Sequence, residues 1–318
     1  MSTAALPRIA LVGAGAMGSN HARVIAESDV AELGLVIDID SARAHALAER
    51  FGCPAATEVE AAGSCDAAVV ATPTALHLPH ARQLLDAGKP LLVEKPVAPA
   101  LAETEELVAA SEREGTPLMC GFVERFSPVV TTVLALLGET PVHIVTLRHS
   151  PQTPRSTLTV VLDLLIHDID LSIRYAGGAD VTRVSAATAP ERRPVAEVAD
   201  CILRFASDTV ATLSASRASQ RKVRSHMIET PEALYDVDLL RQDVTVYRHR
   251  SHEARLRDGL SYRAETVVDI PFVRHGGEPL ALQLRHFVRL LDGAVDADAE
   301  RASILPPHRI AAAVAGEV

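Results

Sequence analysis

The chain reads as an α/β protein with two parts: an N-terminal doubly wound parallel sheet, then an α+β domain with a large, mostly antiparallel open sheet. Three observations predict this. Short apolar runs and helical segments alternate through the first 120 residues, a glycine-rich turn closes the first apolar run, and the hydropathy pattern after Gly121 switches to two-residue alternation. With 318 residues, 48% of them hydrophobic, the chain exceeds what one core usually serves. A boundary near the pattern switch gives residues 1–121 and 122–318 as the expected domains.

In the first part, Arg8–Val12 is a short apolar strand, Ser19–Ala26 a helix and Leu33–Ile37 a β-branched strand. The rhythm repeats with helix Ala42–Phe51 stopped by Gly52, strand Ala67–Ala71, helix Leu76–Ala87 closed by Gly88, and strand Leu91–Val93. Helix Leu101–Glu114, ended by Gly115, and strand Pro117–Cys120 complete it. Strands that are apolar throughout are covered on both faces, which parallel sheets flanked by helices require.

In the second part, Val142–Leu147, Ala199–Phe205, Val210–Ser216, Val223–Ile228 and Thr266–Ile270 alternate as half-exposed antiparallel strands do. Helices are expected over Val161–Tyr175 and Leu280–Leu291, on one face of that sheet, and the charged stretch Arg248–Arg257 reads as a solvated excursion. The chain closes on a short helix from Ile310.

Composition narrows the function. A formal net charge of -10 is the wrong sign for a protein that binds by neutralising phosphate backbones, and 3% aromatics leave little for base stacking, so no nucleic-acid partner is expected. Cys53, Cys65, Cys120 and Cys201 form no C-x-x-C pair, which argues against a disulfide framework or a zinc site, predicts no metal and fits a reducing cytoplasm. No run reaches the roughly 18 apolar residues of a membrane span.

The turn Gly13-Ala14-Gly15-Ala16-Met17-Gly18 follows a strand and opens a helix, the context in which G-x-G-x-x-G reads as a Rossmann dinucleotide site. Gly13 permits the tight turn, Gly15 the approach of a pyrophosphate and Gly18 close helix–strand packing, while the N–H groups at Ala16 and Met17 face the phosphates. Asp38, twenty residues beyond Gly18, stands where a carboxylate accepts from the adenosine ribose hydroxyls, which predicts NAD. Arg43, a few residues on, keeps NADP as the alternative.

Glu94-Lys95-Pro96 lies at the carboxyl end of a parallel strand, where open α/β sheets bind their ligands, so the Lys95 ammonium is placed to donate to a substrate oxygen; Pro96 fixes the turn, with a cis bond as one option. In the second part, roughly 100° per residue sets Asp163, His167, Asp170 and Arg174 on one helical stripe, with Asp168 and Ser172 marking the water-facing side. Asp163 and His167, at i and i+4, predict a carboxylate that orients an imidazole; the plain alternative is an ordinary helix with a satisfied histidine.

Together these residues resemble the Gfo/Idh/MocA family of nicotinamide-dependent oxidoreductases over nearly the whole chain, through the glycine loop, Thr72-Pro73-Thr74 with His77, Glu94-Lys95-Pro96, Gly121 to Phe126, and Asp163 with His167. The resemblance implies that Lys95, Asp163 and His167 form the catalytic set, and that the glycine loop, Asp38, Thr72, Pro73, Thr74, His77, Glu94, Lys95 and Arg125 contact cofactor. It implies reversible oxidation of a secondary alcohol, with His167 as general base, Lys95 on the alkoxide-like oxygen and hydride passing to the nicotinamide. It also implies homodimers or homotetramers, which suits the open sheet face. The loop from Arg148 to Arg155 is similar to that of the UDP-N-acetylglucosamine 3-dehydrogenase branch, as is Glu124 to Pro128, with Ser127 where that branch usually has Asn. Arg148 and Arg155 would then grip a nucleotide-sugar diphosphate or, on the plain alternative, solvate a surface turn. A ring hydroxyl of a nucleotide sugar, at C3, is the expected substrate. The alternatives are a free cyclitol such as myo-inositol and, from another class, a non-catalytic regulator that binds dinucleotide or sugar.

Overall fold

A computed structural model describes residues 5–152, 158–189, 197–256 and 259–316. The chain divides into two compact units, Met1–Phe126 with Gly277–Ala312 and Ser127–Gly276 with Ala313–Val318. In chain order the first unit holds β1 (Arg8–Val12), α1 (Ala16–Ala26), β2 (Glu32–Ile37), α2 (Ser41–Phe51), β3 (Ala55–Ala56), β4 (Ala67–Val70), α3 (His77–Asp86), β5 (Leu91–Glu94), α4 (Leu101–Glu114) and β6 (Leu118–Gly121). The second unit follows with α5 (Pro128–Leu136), β7 (His143–His149), a π-helical turn (Val161–Leu165) running into α6 (Ile166–Tyr175), and strands β8 (Val181–Ala189), β9 (Val198–Phe205), β10 (Val210–Ser216), β11 (Val223–Glu229), β12 (Leu234–Asp238), β13 (Asp243–Leu256) and β14 (Gly259–Asp269). Helices α7 (Pro279–Leu291), α8 (Ala297–Ala302) and α9 (Leu305–Ala315) close the chain.

Among the described residues the first sheet has the order β3-β2-β1-β4-β5-β6, with every neighbouring pair parallel. The order reverses between β1 and β4, and there the carboxyl ends of the strands open the crevice in which such sheets bind ligands. Apolar runs in β1, β4 and β5 are buried on both faces, as the sequence required. The second sheet runs β14-β13-β12-β11-β7-β10-β9-β8, antiparallel except for β7 beside β10. Alternate residues of β9 are buried and exposed along its length. Val145, Leu147, Thr212, Ile202 and Met227 share the outward face, of which Leu147, Ile202 and Met227 are exposed. Among the described residues no helix is long and apolar enough to cross a membrane.

Two expectations change. The second domain does not run unbroken from residue 122: α7 lies in the first unit, where Leu284, Phe287 and Val288 share a core with Ile9, Leu11, Val36 and Val69. An apolar stripe states that a helix must be covered, not by which sheet. The Arg248 to Arg257 stretch lies in β13 as far as Leu256, paired with β14 from Val246↔Asp269 to Leu256↔Gly259. Strands at the rim of an open sheet tolerate charge on both faces, which hides their alternation.

Candidate active site

The glycine loop has the geometry that its spacing predicts. Gly13 sits at φ +106°, and a Cβ there would come within 2.7 Å of the Ala71 carbonyl oxygen; a Cβ on Gly18 would strike the Gly13 carbonyl. A Cβ on Gly15 would meet nothing within 4 Å, so the glycine there keeps open a space that the protein itself does not fill. Gly15, Ala16 and Met17 are exposed, and no side chain caps the N-terminus of α1. Free N–H groups on an uncapped helix beside open space fit a pyrophosphate.

Asp38 stands at the end of β2, where Oδ2 accepts from the Ala14 N–H (2.7 Å) and Oδ1 from the Asp40 N–H (2.9 Å). The carboxylate expected at the ribose thus also holds the loop's shape, which spacing alone did not show. Arg43, in the first turn of α2, pairs with Asp40 at 3.0 Å on the exposed surface.

Thr72, Pro73 and Thr74 follow β4, and the Glu94–Lys95–Pro96 turn follows β5 with a cis Lys95–Pro96 bond. Two residues expected at the cofactor have another partner set. Glu94 is buried, with Oε1 on His21 Nε2 (2.8 Å) and Oε2 accepting the Lys95 N–H (3.2 Å). His77 is also buried, with Nε2 on the Thr72 carbonyl and Nδ1 on the Pro96 carbonyl, both at 2.9 Å. Burial pushes the His77 imidazole below its ordinary value, against the carbonyl contacts and Glu94, which raise it. Both residues shape the turns instead of reaching out from them.

Arg125 is corrected outright. It is 6% exposed, donates to Glu300 (3.3 Å), Ser303 Oγ (2.8 Å) and the Ser303 carbonyl (3.2 Å), and lies over the Phe122 ring. Its work is to fasten α8 to β6 and the segment after it, where a buried guanidinium must spend its donors on the protein.

In the second unit the helix does not keep a 100° step. Val161–Leu165 is a π turn, with the Ile166 N–H on the Val161 carbonyl, so Asp163 and His167 are not separated by regular α geometry. Asp163 Oδ2 takes Arg217 Nη2 at 2.6 Å, and Arg217 also donates to the carbonyls of Leu158 (2.8 Å) and Thr159 (3.4 Å). Arg217 is the residue that sequence reading missed. It follows β10, whose Ser216 pairs with His149 of β7, so the sheet brings it to the start of the helix from 54 positions away. His167 lies in the first turn of α6 and is 9% exposed.

Asp168 and Ser172 do not face water; both are fully buried. Asp168 receives Arg148 Nε (2.9 Å) and Nη2 (2.7 Å) and His226 Nε2 (3.0 Å), and Tyr175 Oη meets His226 Nδ1 at 3.2 Å. Burial alone would raise this carboxyl, but the Arg148 guanidinium and His226 outweigh it and hold Asp168 below the usual carboxylate range. Arg148, 2% exposed, is therefore a core cation and does not face a substrate diphosphate. The alternation of β7 turns it inward, since Leu147 and His149 beside it point out. Arg155 lies outside the described residues.

A cavity of about 600 Å³ in the second unit is lined by Pro151, Gln152, Glu197, Arg217, Ser219 and Gln220, among others. Burial pushes the Cys201 thiol up to about 12 and raises Cys53 and Cys65, so none of the three is a thiolate nucleophile at neutral pH.

Comparison with known proteins bears on these sites. Residues 7–122 match the family model of an oxidoreductase family with an NAD-binding Rossmann fold, and residues 142–229 match the GFO/IDH/MocA C-terminal domain. A UDP-N-acetylglucosamine 3-dehydrogenase of Acidithiobacillus ferrooxidans is 29% identical over 86% of this chain and 83% of its own. The myo-inositol dehydrogenase Hyg17 of Streptomyces leeuwenhoekii is 32% identical over 66% of this chain and 69% of its own. The solved structure of UDP-N-acetylglucosamine 3-dehydrogenase GnnA from Acidithiobacillus ferrooxidans superposes with a TM-score of 0.85 at 25% identity, covering 99% of this chain and 98% of that one.

Proposed function

This chain belongs to the Gfo/Idh/MocA family of NAD-binding oxidoreductases, and on that premise we propose that it oxidises a ring secondary hydroxyl of a nucleotide sugar, at C3, using NAD in preference to NADP. NAD supplies the hydride chemistry when bound, and the chain's residues orient the alcohol and move its proton. His167 takes the hydroxyl proton as general base. Lys95 donates to the alcohol oxygen as negative charge develops on it, and Asp163, gripped by Arg217, orients His167 or a neighbouring hydroxyl. Asp38 accepts from the adenosine ribose hydroxyls and repels a 2′-phosphate.

The observation that carries the substrate reading is the cavity of about 600 Å³ at Arg217, the residue that holds Asp163. At about 600 Å³ it falls within the general size range of small-molecule clefts, and likeness to the UDP-N-acetylglucosamine 3-dehydrogenase supports a nucleotide sugar as its occupant. With Arg148 in the core, the diphosphate contacts fall to Arg155 together with polar residues of the cavity lining such as Gln152, Ser219 and Gln220. The outward sheet face with Leu147, Ile202 and Met227 suits pairing of copies into a homodimer or homotetramer, and the four scattered cysteines, with no C-x-x-C pair, suit the cytoplasm.

The test is steady-state appearance of the reduced-nicotinamide band with UDP-N-acetylglucosamine, other UDP-sugars, free hexoses and inositols. Turnover of nucleotide sugars is expected. Good turnover of myo-inositol with none of any nucleotide sugar would transfer the assignment to a cyclitol dehydrogenase, and tight NADH binding with no turnover at all would favour a non-catalytic regulator.

A further inference from the structure

The turn that carries Lys95 is held from three sides by three buried histidines, each on a different element. His21, on α1 behind the glycine loop, meets Glu94 Oε1 at 2.8 Å, and the other oxygen of that carboxylate accepts the Lys95 N–H. His77, opening α3 behind Thr72-Pro73-Thr74, meets the Pro96 carbonyl at 2.9 Å. His308, on α9, accepts the Val97 N–H on Nε2 at 3.1 Å. Exposures of 3%, 1% and 3% put all three in the interior.

Hydrogen-bond chemistry sets what each ring must be. Accepting at Nε2 requires that His308 carry its proton on Nδ1, and Nδ1 lies 2.7 Å from the Ile304 carbonyl, an acceptor for it. The ring is neutral in this arrangement, with both nitrogens satisfied. His21 must present an Nε2–H to the Glu94 carboxylate. His77 faces carbonyl oxygens at both nitrogens, so its Nδ1–H and Nε2–H compete for one proton when the ring is neutral. Gly121 on β6 leaves the room that lets Glu94 turn inward, since a Cβ there would come within 3.0 Å of Glu94 Oε2.

We propose that His21, His77 and His308 are positioning residues for Lys95: they fix the backbone of residues 94 to 97, and so the direction of the lysine ammonium, from the glycine-loop helix, the Thr-Pro-Thr turn and the C-terminal helix. The catalytic meaning rests on the role given to Lys95 above, while the geometry does not. None of the three touches the reacting atoms. A carrier misplaced by about 1 Å costs about 100-fold in rate, so an enzyme gains from a turn with no slack.

The chain has three lysines, Lys89, Lys95 and Lys222, so ¹³Cε-lysine NMR of the full-length protein gives one signal for each. Phe at position 21, 77 or 308 removes the ring nitrogens, whereas Gln restores an N–H for Glu94 or Pro96, or an oxygen acceptor for Val97. Expected is a Lys95 signal displaced in His77→Phe and His308→Phe and restored toward wild type in His77→Gln and His308→Gln, with Lys89 and Lys222 unmoved. With UDP-N-acetylglucosamine as substrate, kcat should fall about 10- to 100-fold in the Phe variants while KM for NAD stays within about threefold. Folded Phe variants with an unshifted Lys95 signal, or a loss confined to KM for NAD, would overturn the proposal. Should the Phe variants not fold, ring ¹⁵N shifts of the wild-type protein decide: a protonated His308 Nε2 refutes the cradle and a bare one supports it. Lys95 coupling in a protein that turns over no sugar would leave the cradle standing and remove the catalytic reading it serves.

Discussion

The Lys95 turn of the first unit and helix α6 of the second are held in different ways. In the first, the Glu94–Val97 turn is secured by imidazoles and backbone groups, with the Glu94 carboxylate as its buried anion. In the second, α6 is secured by arginine guanidiniums: Arg148 converges on Asp168 beside His226, and Arg217 grips Asp163 in the turn before it. The difference follows from the scaffolds. A parallel sheet delivers its loops side by side at one edge, so short local bonds suffice. A helix lying on an open antiparallel sheet has no such edge, and long cations reaching from the strands fasten it.

The sharpest way to break the comparison is at the reacting groups. Lys95→Ala and His167→Ala should each reduce turnover about 100- to 10,000-fold with NADH binding retained, as loss of a positioned acid or base does. Stopped-flow hydride transfer alongside NADH titration separates the two. Near-native turnover in His167→Ala across neutral pH would move the general-base role to another group.

Next in size is the charged anchor. Asp168→Asn leaves Arg148 buried without its counter-charge and should cost about 3–5 kcal/mol of stability, read by urea unfolding. The same pair gives the wild type a pH dependence. Asp168 titrates lower folded than unfolded, where a carboxyl has a pKa of about 3.9, so its stabilisation is complete above that value and disappears as pH falls through the folded one. Asp168→Asn should lack this component of the acid-side loss; an identical acid profile in both proteins would show that the anchor contributes nothing.

The glycine loop separates folding from binding. Gly18→Ala drives a methyl into the Gly13 carbonyl and should lower Tm and NAD affinity together, whereas Gly15→Ala meets no protein atom and should lower affinity alone. Crowding by one methyl costs about 1–3 kcal/mol, measurable by NADH fluorescence titration with thermal melts. Equal melting losses in the two variants would contradict the open space at Gly15.

The smallest effect is expected at Asp38. Asp38→Ala loses both the ribose acceptor and the bond to the Ala14 N–H, so NAD affinity should fall about tenfold while relative NADP affinity rises. Asp38→Asn keeps an acceptor for Ala14 and should retain more of the NAD affinity. Unchanged preference in Asp38→Ala would remove this carboxylate from cofactor selection.

By itself the sequence determined the fold class, the sheet strands of the first unit apart from the two-residue β3, the glycine loop with Asp38, and the placing of Lys95 after a parallel strand. All of these rest on periodicity and on residues adjacent in the chain, which hydropathy and turn chemistry encode locally. Only the tertiary structure decided that Arg148 is a core cation, that Arg217 holds Asp163, that Arg125 secures α8, and that α7 belongs to the first unit. Each depends on a partner far along the chain, and Arg217 is 54 residues from Asp163. Helix α6 adds a second reason: Ile166 to Ser172 are buried on every side of the helix, so the predicted water-facing residues Asp168 and Ser172 lie in the core. A buried arginine and an exposed one look alike in sequence, because what separates them is the carboxylate that the fold brings to meet it.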